Sequence, residues 1–155
     1  ICALGILAFL VGMMQYLKGD RFATSKTLRI LIITSLTLAF LQLVLGTQVR
    51  EHVDILLEHG KARPEILDSL PTWWKIHRTA VWPLILIHLA WAVPLLKVSG
   101  LRKYAGLAIG IILTLATSGF LFVKLGLPAF IQPAHILLAF GLILVDLRVL
   151  LASKV

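Results

Sequence analysis

The sequence predicts an all-α, polytopic membrane protein, because it is too apolar for a water-soluble domain and its apolar residues fall into long blocks. Of the 155 residues, 59% are hydrophobic and only 14% are charged, whereas a soluble domain of this size needs more polar surface. About 20 helical residues cross a bilayer, and blocks of that length use up most of the chain. In lipid each block can only be a helix, since its backbone amides must bond within the segment.

Five blocks are predicted to span the membrane: one transmembrane helix at the start of the chain, and then a four-helix transmembrane bundle over residues 28–152. The blocks cover residues 1–17, 28–47, 74–96, 104–125 and 133–151. The connection 48–73 is long and polar, and a loop of this kind is where the lid of a site is expected. Its acidic residues Glu51, Asp54 and Glu58 have helical spacing, which indicates a short amphipathic run with a solvated face.

The positive charge of the chain predicts its orientation in the membrane. The net charge is +8, and the Lys and Arg residues lie mainly in short loops between apolar blocks, which indicates topology and no nucleic-acid partner. One side of the membrane receives nine basic and two acidic residues, with Asp146 counted there, and the other receives six basic and five acidic residues. We therefore expect a multi-pass protein of the inner (cytoplasmic) membrane, with the loop 48–73 extracytoplasmic.

Two of the five histidines, His77 and His135, are the main candidates for a functional site. Each lies near the start of a block that begins on the outer side, so the two imidazoles lie at similar depth. Intramembrane histidines are functional candidates, and two neutral imidazoles on two helices of a bundle can supply the axial ligands of a haem. The alternative for each residue is a hydrogen bond to a neighbouring helix or a position at the wet interface.

His88 stands 11 residues after His77, on nearly the same helix face and about 16 Å deeper. It could bind a second haem or face the edge of the cofactor. Because no second histidine lies at its depth in another block, a hydrogen bond between helices is the favoured interpretation. The small residues Gly106, Gly110, Thr114 and Ser118, spaced by four, indicate a surface for close packing, on a helix more readily than on a macrocycle.

Two arginines, Arg50 and Arg78, lie at the correct level to pair with carboxylates such as haem propionates, for which a planar guanidinium is suited. The alternative is two ordinary interfacial arginines, one of them paired with Glu51. The single cysteine, Cys2, excludes an internal disulfide and any cysteine-based metal site within this sequence.

Three short runs carry a resemblance to a known family. The run from Leu41 to Arg50 reads Leu-Gln-Leu-Val-Leu-Gly-Thr-Gln-Val-Arg at the end of a block, an acidic loop follows, and His77-Arg78 opens the next block. Gln132-Pro133-Ala134-His135 opens the last block. Over residues 28–152 this pattern resembles the C-terminal half of the haem A synthase family, in which two homologous four-helix halves form one protein. Block 1–17 would then be the last helix of a missing N-terminal half.

The resemblance implies an oxidoreductase, as part of a longer chain, that oxidises a methyl group of haem O to the formyl group of haem A for terminal oxidase assembly. It implies that this half holds haem b through His77 and His135, while the substrate haem O is handled in the other half. The catalytic residues are therefore unknown here, and Glu51 occupies only an analogous place. The loop has no cysteine pair of the kind that some members carry.

Two other functions stay open. One is a stand-alone b-type cytochrome with two histidine ligands, an electron-transfer subunit of a respiratory or quinone-linked complex. The other is a structural or assembly subunit without haem, in which the histidines only pack. Besides the lipid bilayer and haem O, the synthase interpretation implies haem O synthase and terminal oxidase assembly factors as partners.

Overall fold

The computed structural model describes residue 5, residues 11–14 and residues 21–154. The predicted helix 1–17, together with Cys2, lies largely outside the described residues. The described part is all-α apart from two short strands. In chain order the elements are β1 (Phe22–Ala23), α1 (Lys26–Glu58), α2 (Arg63–Ile66), a 3-10 turn (Leu67–Ser69), α3 (Thr72–Thr79), α4 (Val81–Leu95), α5 (Arg102–Lys124), α6 (Ile131–Ala152) and β2 (Ser153–Lys154).

Four helical segments are long and apolar enough to cross a membrane, as predicted: α1, the α3–α4 pair over Thr72–Leu95, α5 and α6. Around the bundle α1 packs on α4, α4 on α5, α5 on α6, and α6 on α1. Helices α4 and α6 are therefore diagonally opposite. This arrangement matters for the site, because inward side chains of diagonal helices meet along the bundle axis.

Helix α1 continues well past the predicted end of its block at Thr47, so the first part of the predicted loop 48–73 is helical. It ends in a Schellman motif: Gly60 has a φ of 81° and donates to the carbonyl of Leu57, while Lys61 donates to that of Leu56. The remaining residues form α2, the 3-10 turn and the start of α3. The amphipathic run predicted around Glu51 is thus the last part of a long helix.

The block 74–96 is divided into α3 and α4 at Ala80. Pro83 has no N–H to donate to the carbonyl of Thr79, and its ring crowds that carbonyl, so α3 and α4 do not continue as one regular helix, and Pro83 lies in the first turn of α4. The next bond, from the Leu84 amide to the Ala80 carbonyl, is long at 3.4 Å. The division sets the direction of α3, which carries His77.

The connecting segment 59–71 covers one end of the bundle, called here the loop end. Val53, Ile66, Leu70 and Leu127 form a small buried cluster beneath it. Arg63 donates from Nη1 to the carbonyl of Leu127 at 2.9 Å, which ties this segment to the α5–α6 connection. The predicted lid is thus a packed segment rather than an open loop.

The opposite end of the bundle, called here the tail end, is closed by short pairings. Strand β1 pairs in parallel with β2, Phe22 opposite Ser153. Arg29 donates to the carbonyl of Ser153 at 3.0 Å. Most of the hydrophobic core lies between this end and the middle of the bundle, around residues such as Ile32, Trp91 and Ile112.

Within residues 21–154, most of the small-residue stripe on α5 is not covered by another helix. Gly106, Gly110 and Thr114 are exposed, and only Ser118 is buried. Residues four apart advance by about 40° around a helix, so the stripe turns from the outside of the bundle at Gly106 to its interior at Ser118.

Candidate functional site

A cavity of about 770 Å³ lies at the loop end of the bundle. Its volume is in the range of cofactor and ligand pockets. Helices α1, α3, α4, α5 and α6 all contribute to its wall, which is mainly apolar. The four predicted site residues all line it: His77, His135, Arg50 and Arg78.

His135, one turn into α6, is held by a hydrogen bond to α5. Its Nδ1 lies 2.7 Å from the Oγ of Ser118, and that hydroxyl also donates to the carbonyl of Leu115 at 3.0 Å. A serine has only one hydroxyl hydrogen. If that hydrogen goes to Leu115, the Nδ1–H of His135 donates to Ser118. The other nitrogen, Nε2, then has a free lone pair, which is the tautomer that a metal-ligating histidine needs.

The ring of Phe122 also packs against His135, edge to face, with ring centroids 5.2 Å apart. The bond to Ser118 is a hydrogen bond between helices, which is the structural role that the sequence offered as the alternative to haem ligation for this histidine. It uses only one ring nitrogen, however, and leaves the second one without an assigned role.

His77, on α3, lies against the backbone of α1 at a glycine. A Cβ added to Gly46 would lie 3.1 Å from the Cε1 of His77, closer than ordinary van der Waals contact, so a larger residue would require the ring to shift. The Nδ1 of His77 is buried and has no hydrogen-bond partner among the described residues. Gln42 donates to the backbone carbonyl of His77 at 2.9 Å, while its own Oε1 is likewise buried and unpartnered within the described part of the chain. A buried polar atom without a partner costs about 1–3 kcal/mol.

The two arginines lie at the rim of the cavity. Arg50 binds Asp54, one turn along α1, with Nε at 3.0 and 2.8 Å from the two carboxylate oxygens. The sequence had suggested Glu51 as its partner. That assignment is wrong, because the i,i+4 spacing places Asp54 on the same face of the helix. Arg78 is exposed and lies over the ring of Trp74, with Cζ 5.1 Å from the ring centroid.

The two histidines that the sequence placed in the outer loop lie apart from this cavity, His52 near the end of α1 and His59 directly after it. His52 packs edge to face against Trp73, and the Nδ1 of His59 lies 2.7 Å from the carbonyl of Ile55. Neither residue lines the cavity wall.

His88 lies deeper in the bundle and binds another helix, as favoured from the sequence. Its partner is Asp146 on α6, with Nε2 and Oδ2 3.1 Å apart and both side chains fully buried. Asp146 was assigned from the sequence to the charges on the inner surface, and this assignment is wrong. The residue faces the bundle interior, where a carboxyl group is sheltered from lipid.

The chemistry of the donors fits a haem. A haem needs only one or two protein ligands, because its porphyrin supplies the other four. His77 and His135 come from the two diagonal helix segments, and each has a ring nitrogen without a hydrogen bond to the part of the chain that the structure describes. Within the described residues no group of three or more His, Cys, Asp or Glu side chains could hold a bare metal ion. The wall is apolar, and the rim carries the guanidinium groups that propionates would require.

The sequence alone did not reveal three parts of this region: Gly46 beside His77, Ser118 beside His135, and Asp146 beside His88. The sequence did contain one indication that Asp146 lies beside His88. Asp146 follows His135 by 11 residues, and His88 follows His77 by the same number. Because the two segments begin at the same end of the bundle, this equal spacing predicts that His88 and Asp146 lie at the same depth. No protein-family model, curated protein or solved structure matches this chain.

Proposed function

We propose that this chain binds one haem b at the loop end of the bundle, with His77 and His135 as its two axial ligands. The observation that carries this proposal is that the two imidazoles, from diagonally opposite helix segments, line one apolar cavity of about 770 Å³. The bond between Ser118 and His135 supports it, because it orients the ring and leaves Nε2 available. When bound, the haem supplies one-electron redox chemistry.

The residues of the chain have separate tasks in this proposal. His77 and His135 hold the iron, while Gly46 and Ser118 position their rings. Arg50 and Arg78 neutralise the propionates at the rim. The apolar wall and the packed segment 59–71 keep water away from the iron, and a dry surrounding of this kind affects the redox potential.

We further propose that the chain is the haem b-binding, C-terminal half of a haem A synthase. Support comes from the Gly46 to Arg50 run and the His77-Arg78 and Gln132 to His135 runs, in the order in which the family has them. Haem O would be the substrate, bound in the other half, and haem O synthase and terminal oxidase assembly factors are the proposed partners. The electrons taken from the substrate would pass through the haem b held here.

The first experiment tests haem binding. The chain is expressed with haem available, purified in detergent and examined by absorption spectroscopy and the pyridine haemochrome assay. We expect about one haem b per chain, with a low-spin spectrum. A purified, folded chain with no haem would contradict the proposal and favour a structural subunit.

The second experiment separates the synthase from a stand-alone cytochrome. In the source organism, the gene that encodes this chain is deleted and the haems of the membrane are extracted and separated. A synthase deletion should accumulate haem O and lack haem A, because the preceding farnesylation is untouched. Unchanged haem A, in a strain without a second synthase gene, would leave haem binding intact and favour the electron-transfer subunit.

A further inference from the structure

A second polar cluster lies inside the bundle, on the tail side of the cavity. The Nε2 of His88 lies 3.1 Å from the Oδ2 of Asp146. Ser35 on α1 lies 3.3 Å from the same oxygen, and the indole of Trp91 donates to Ser35 at 3.0 Å. All four side chains are fully buried. Ionisable side chains inside a membrane bundle are rare, and they commonly mark proton or ion pathways.

The hydrogen bonds of His88 determine how many protons the pair holds. Its Nδ1 lies 2.8 Å from the carbonyl oxygen of Leu84. A carbonyl can only accept, so Nδ1 must carry a hydrogen. The contact between Nε2 and the Asp146 carboxyl then needs a second hydrogen, on one atom or the other. Imidazole with carboxylic acid and imidazolium with carboxylate both satisfy this requirement, and both have no net charge.

A pair of this kind can lose one proton and become an anion. Within the bundle the loss leaves a single negative charge on the His88–Asp146 pair, which is costly unless a positive charge is near. The Oδ1 of Asp146 is buried and has no partner among the described residues, so the carboxyl group can still accept a further hydrogen bond from water on the path of the proton.

The neighbouring helices define the charges around the pair. Helix α4 carries no titratable group except His88, and α6 adds Arg148 two residues beyond Asp146. Toward the tail end, α1 contributes Lys26 and Arg29, and α5 contributes a basic-aromatic group at its start: Arg102, Lys103 and Tyr104. Arg148 lies over the ring of Tyr104, with Cζ 5.0 Å from the centroid.

Each member of the pair stands 11 residues along the chain from a proposed haem ligand: His88 from His77, and Asp146 from His135. Within the continuous helix α6, the 11 residues from His135 to Asp146 correspond to about 16 Å. In a poorly polarisable interior, charges interact over such a distance far more strongly than in water. The pair therefore lies within electrostatic reach of the proposed iron.

We propose that the His88–Asp146 pair is an intramembrane proton-binding site that takes up one proton when the haem is reduced and releases it on oxidation. The proposal rests on the proposed haem b. Oxidised iron carries one more positive charge, which stabilises the anionic pair. When an added one-electron reductant or an electrode supplies an electron, that charge is lost, and one proton from water binds between Nε2 and Oδ2. Reduction then requires a proton, so the midpoint potential falls as the pH rises.

The test is a potentiometric titration of the purified haem-loaded chain at several pH values, followed by the absorption of reduced haem. We expect the midpoint potential to fall with rising pH in the unmodified chain. Asp146→Asn should abolish most of this dependence while the low-spin spectrum is kept. Glu58→Gln, which removes an exposed carboxylate at the loop end, is the matched control and should behave like the unmodified chain.

A midpoint potential that does not change with pH in the unmodified chain would overturn the proposal. So would an Asp146→Asn variant with an intact spectrum and an unchanged dependence. A chain that binds no haem would overturn the proposed function and, with it, the proposed proton-binding site. A chain that binds haem with a midpoint potential independent of pH would overturn the proton-binding site alone.

If Asp146→Asn does not fold, infrared difference spectra of the unmodified protein, reduced minus oxidised, test the proposal instead. With the aspartates labelled by ¹³C, reduction should change bands that the label shifts, because proton uptake either converts the Asp146 carboxylate to a carboxylic acid or places an imidazolium beside it. Haem propionates and glutamates do not carry the label. Asp146 is the only buried aspartate within residues 21–154. Absence of a label-sensitive band on reduction would overturn the proposal.

Discussion

The Nδ1 of His135 on α6 lies 2.7 Å from the Oγ of Ser118 on α5, and the same hydroxyl donates to the carbonyl of Leu115. One small residue thus joins two helices and determines which nitrogen of the histidine is free. Thr114, one turn earlier in α5, is exposed and outside the cavity wall, and its hydroxyl donates to the carbonyl of Gly110 in its own helix. The chain therefore offers a matched control for the role of Ser118.

We expect Ser118→Ala to weaken haem binding by about 10- to 100-fold, the usual effect of losing the hydrogen bond that orients a metal-ligating histidine. Thr114→Ala should leave binding unchanged. Haem titration of the two purified apoproteins, followed by absorption, gives the comparison. Equal affinities in the two variants would show that the Ser118 bond does not position a ligand.

Replacement of either proposed ligand should remove the low-spin spectrum. In His77→Ala or His135→Ala one axial imidazole is lost, so the remaining haem is high-spin or absent. His52→Ala and His59→Ala are the controls, because these residues lie outside the cavity. An unaltered low-spin spectrum in both helix variants would exclude the two residues as ligands.

Gly46→Val should displace the imidazole of His77. The added Cβ alone would lie 3.1 Å from its Cε1, and the two methyl groups of valine increase the overlap. We expect at least a roughly tenfold loss of haem affinity, comparable to the loss of a supporting contact at a ligand. At Gly110, on α5, nothing lies within 4 Å of an added Cβ, so Gly110→Val is the control. Normal binding by Gly46→Val would place the ring elsewhere in the holoprotein.

Ser35→Ala should destabilise the bundle, because the indole N–H of Trp91 would be buried without an acceptor. The expected loss is about 1–3 kcal/mol in the free energy of unfolding, measured by titration with SDS in mixed micelles. Thr34→Ala, which removes an exposed hydroxyl bonded to the carbonyl of Ile30 in the same helix, should change it by much less. Similar losses in both variants would mean that the bond to Trp91 adds little.

The orientation predicted from the charges can be tested with two small, exposed residues. In a Cys2→Ser background, Ala62→Cys places a thiol in the segment at the loop end and Ser99→Cys places one between α4 and α5. An impermeant thiol reagent applied to intact cells should label the first and leave the second unlabelled until the membrane is opened. The reverse pattern would invert the predicted topology.

The sequence by itself determined the all-α membrane class and the approximate positions of four spanning segments, because a bilayer imposes both the length and the apolar character of a span. It also predicts that His77 and His135 lie at matched depth, since depth follows from counting residues along a helix, and the structure places both in the wall of one cavity. It could not determine which face of each helix is turned inward. Lipid is as apolar as the bundle core, so hydrophobicity does not distinguish the two faces.

Only the tertiary structure shows how each helix is rotated about its own axis, and with it which side chains meet between helices. Packing turned Ser118 toward His135 while the earlier residues of its stripe, Gly106 and Gly110, remained exposed. It brought Asp146 from an expected surface position to His88, and it placed Gly46 against His77. These pairs are far apart in sequence, and their distances depend on how whole helices pack, which no local pattern of residues records.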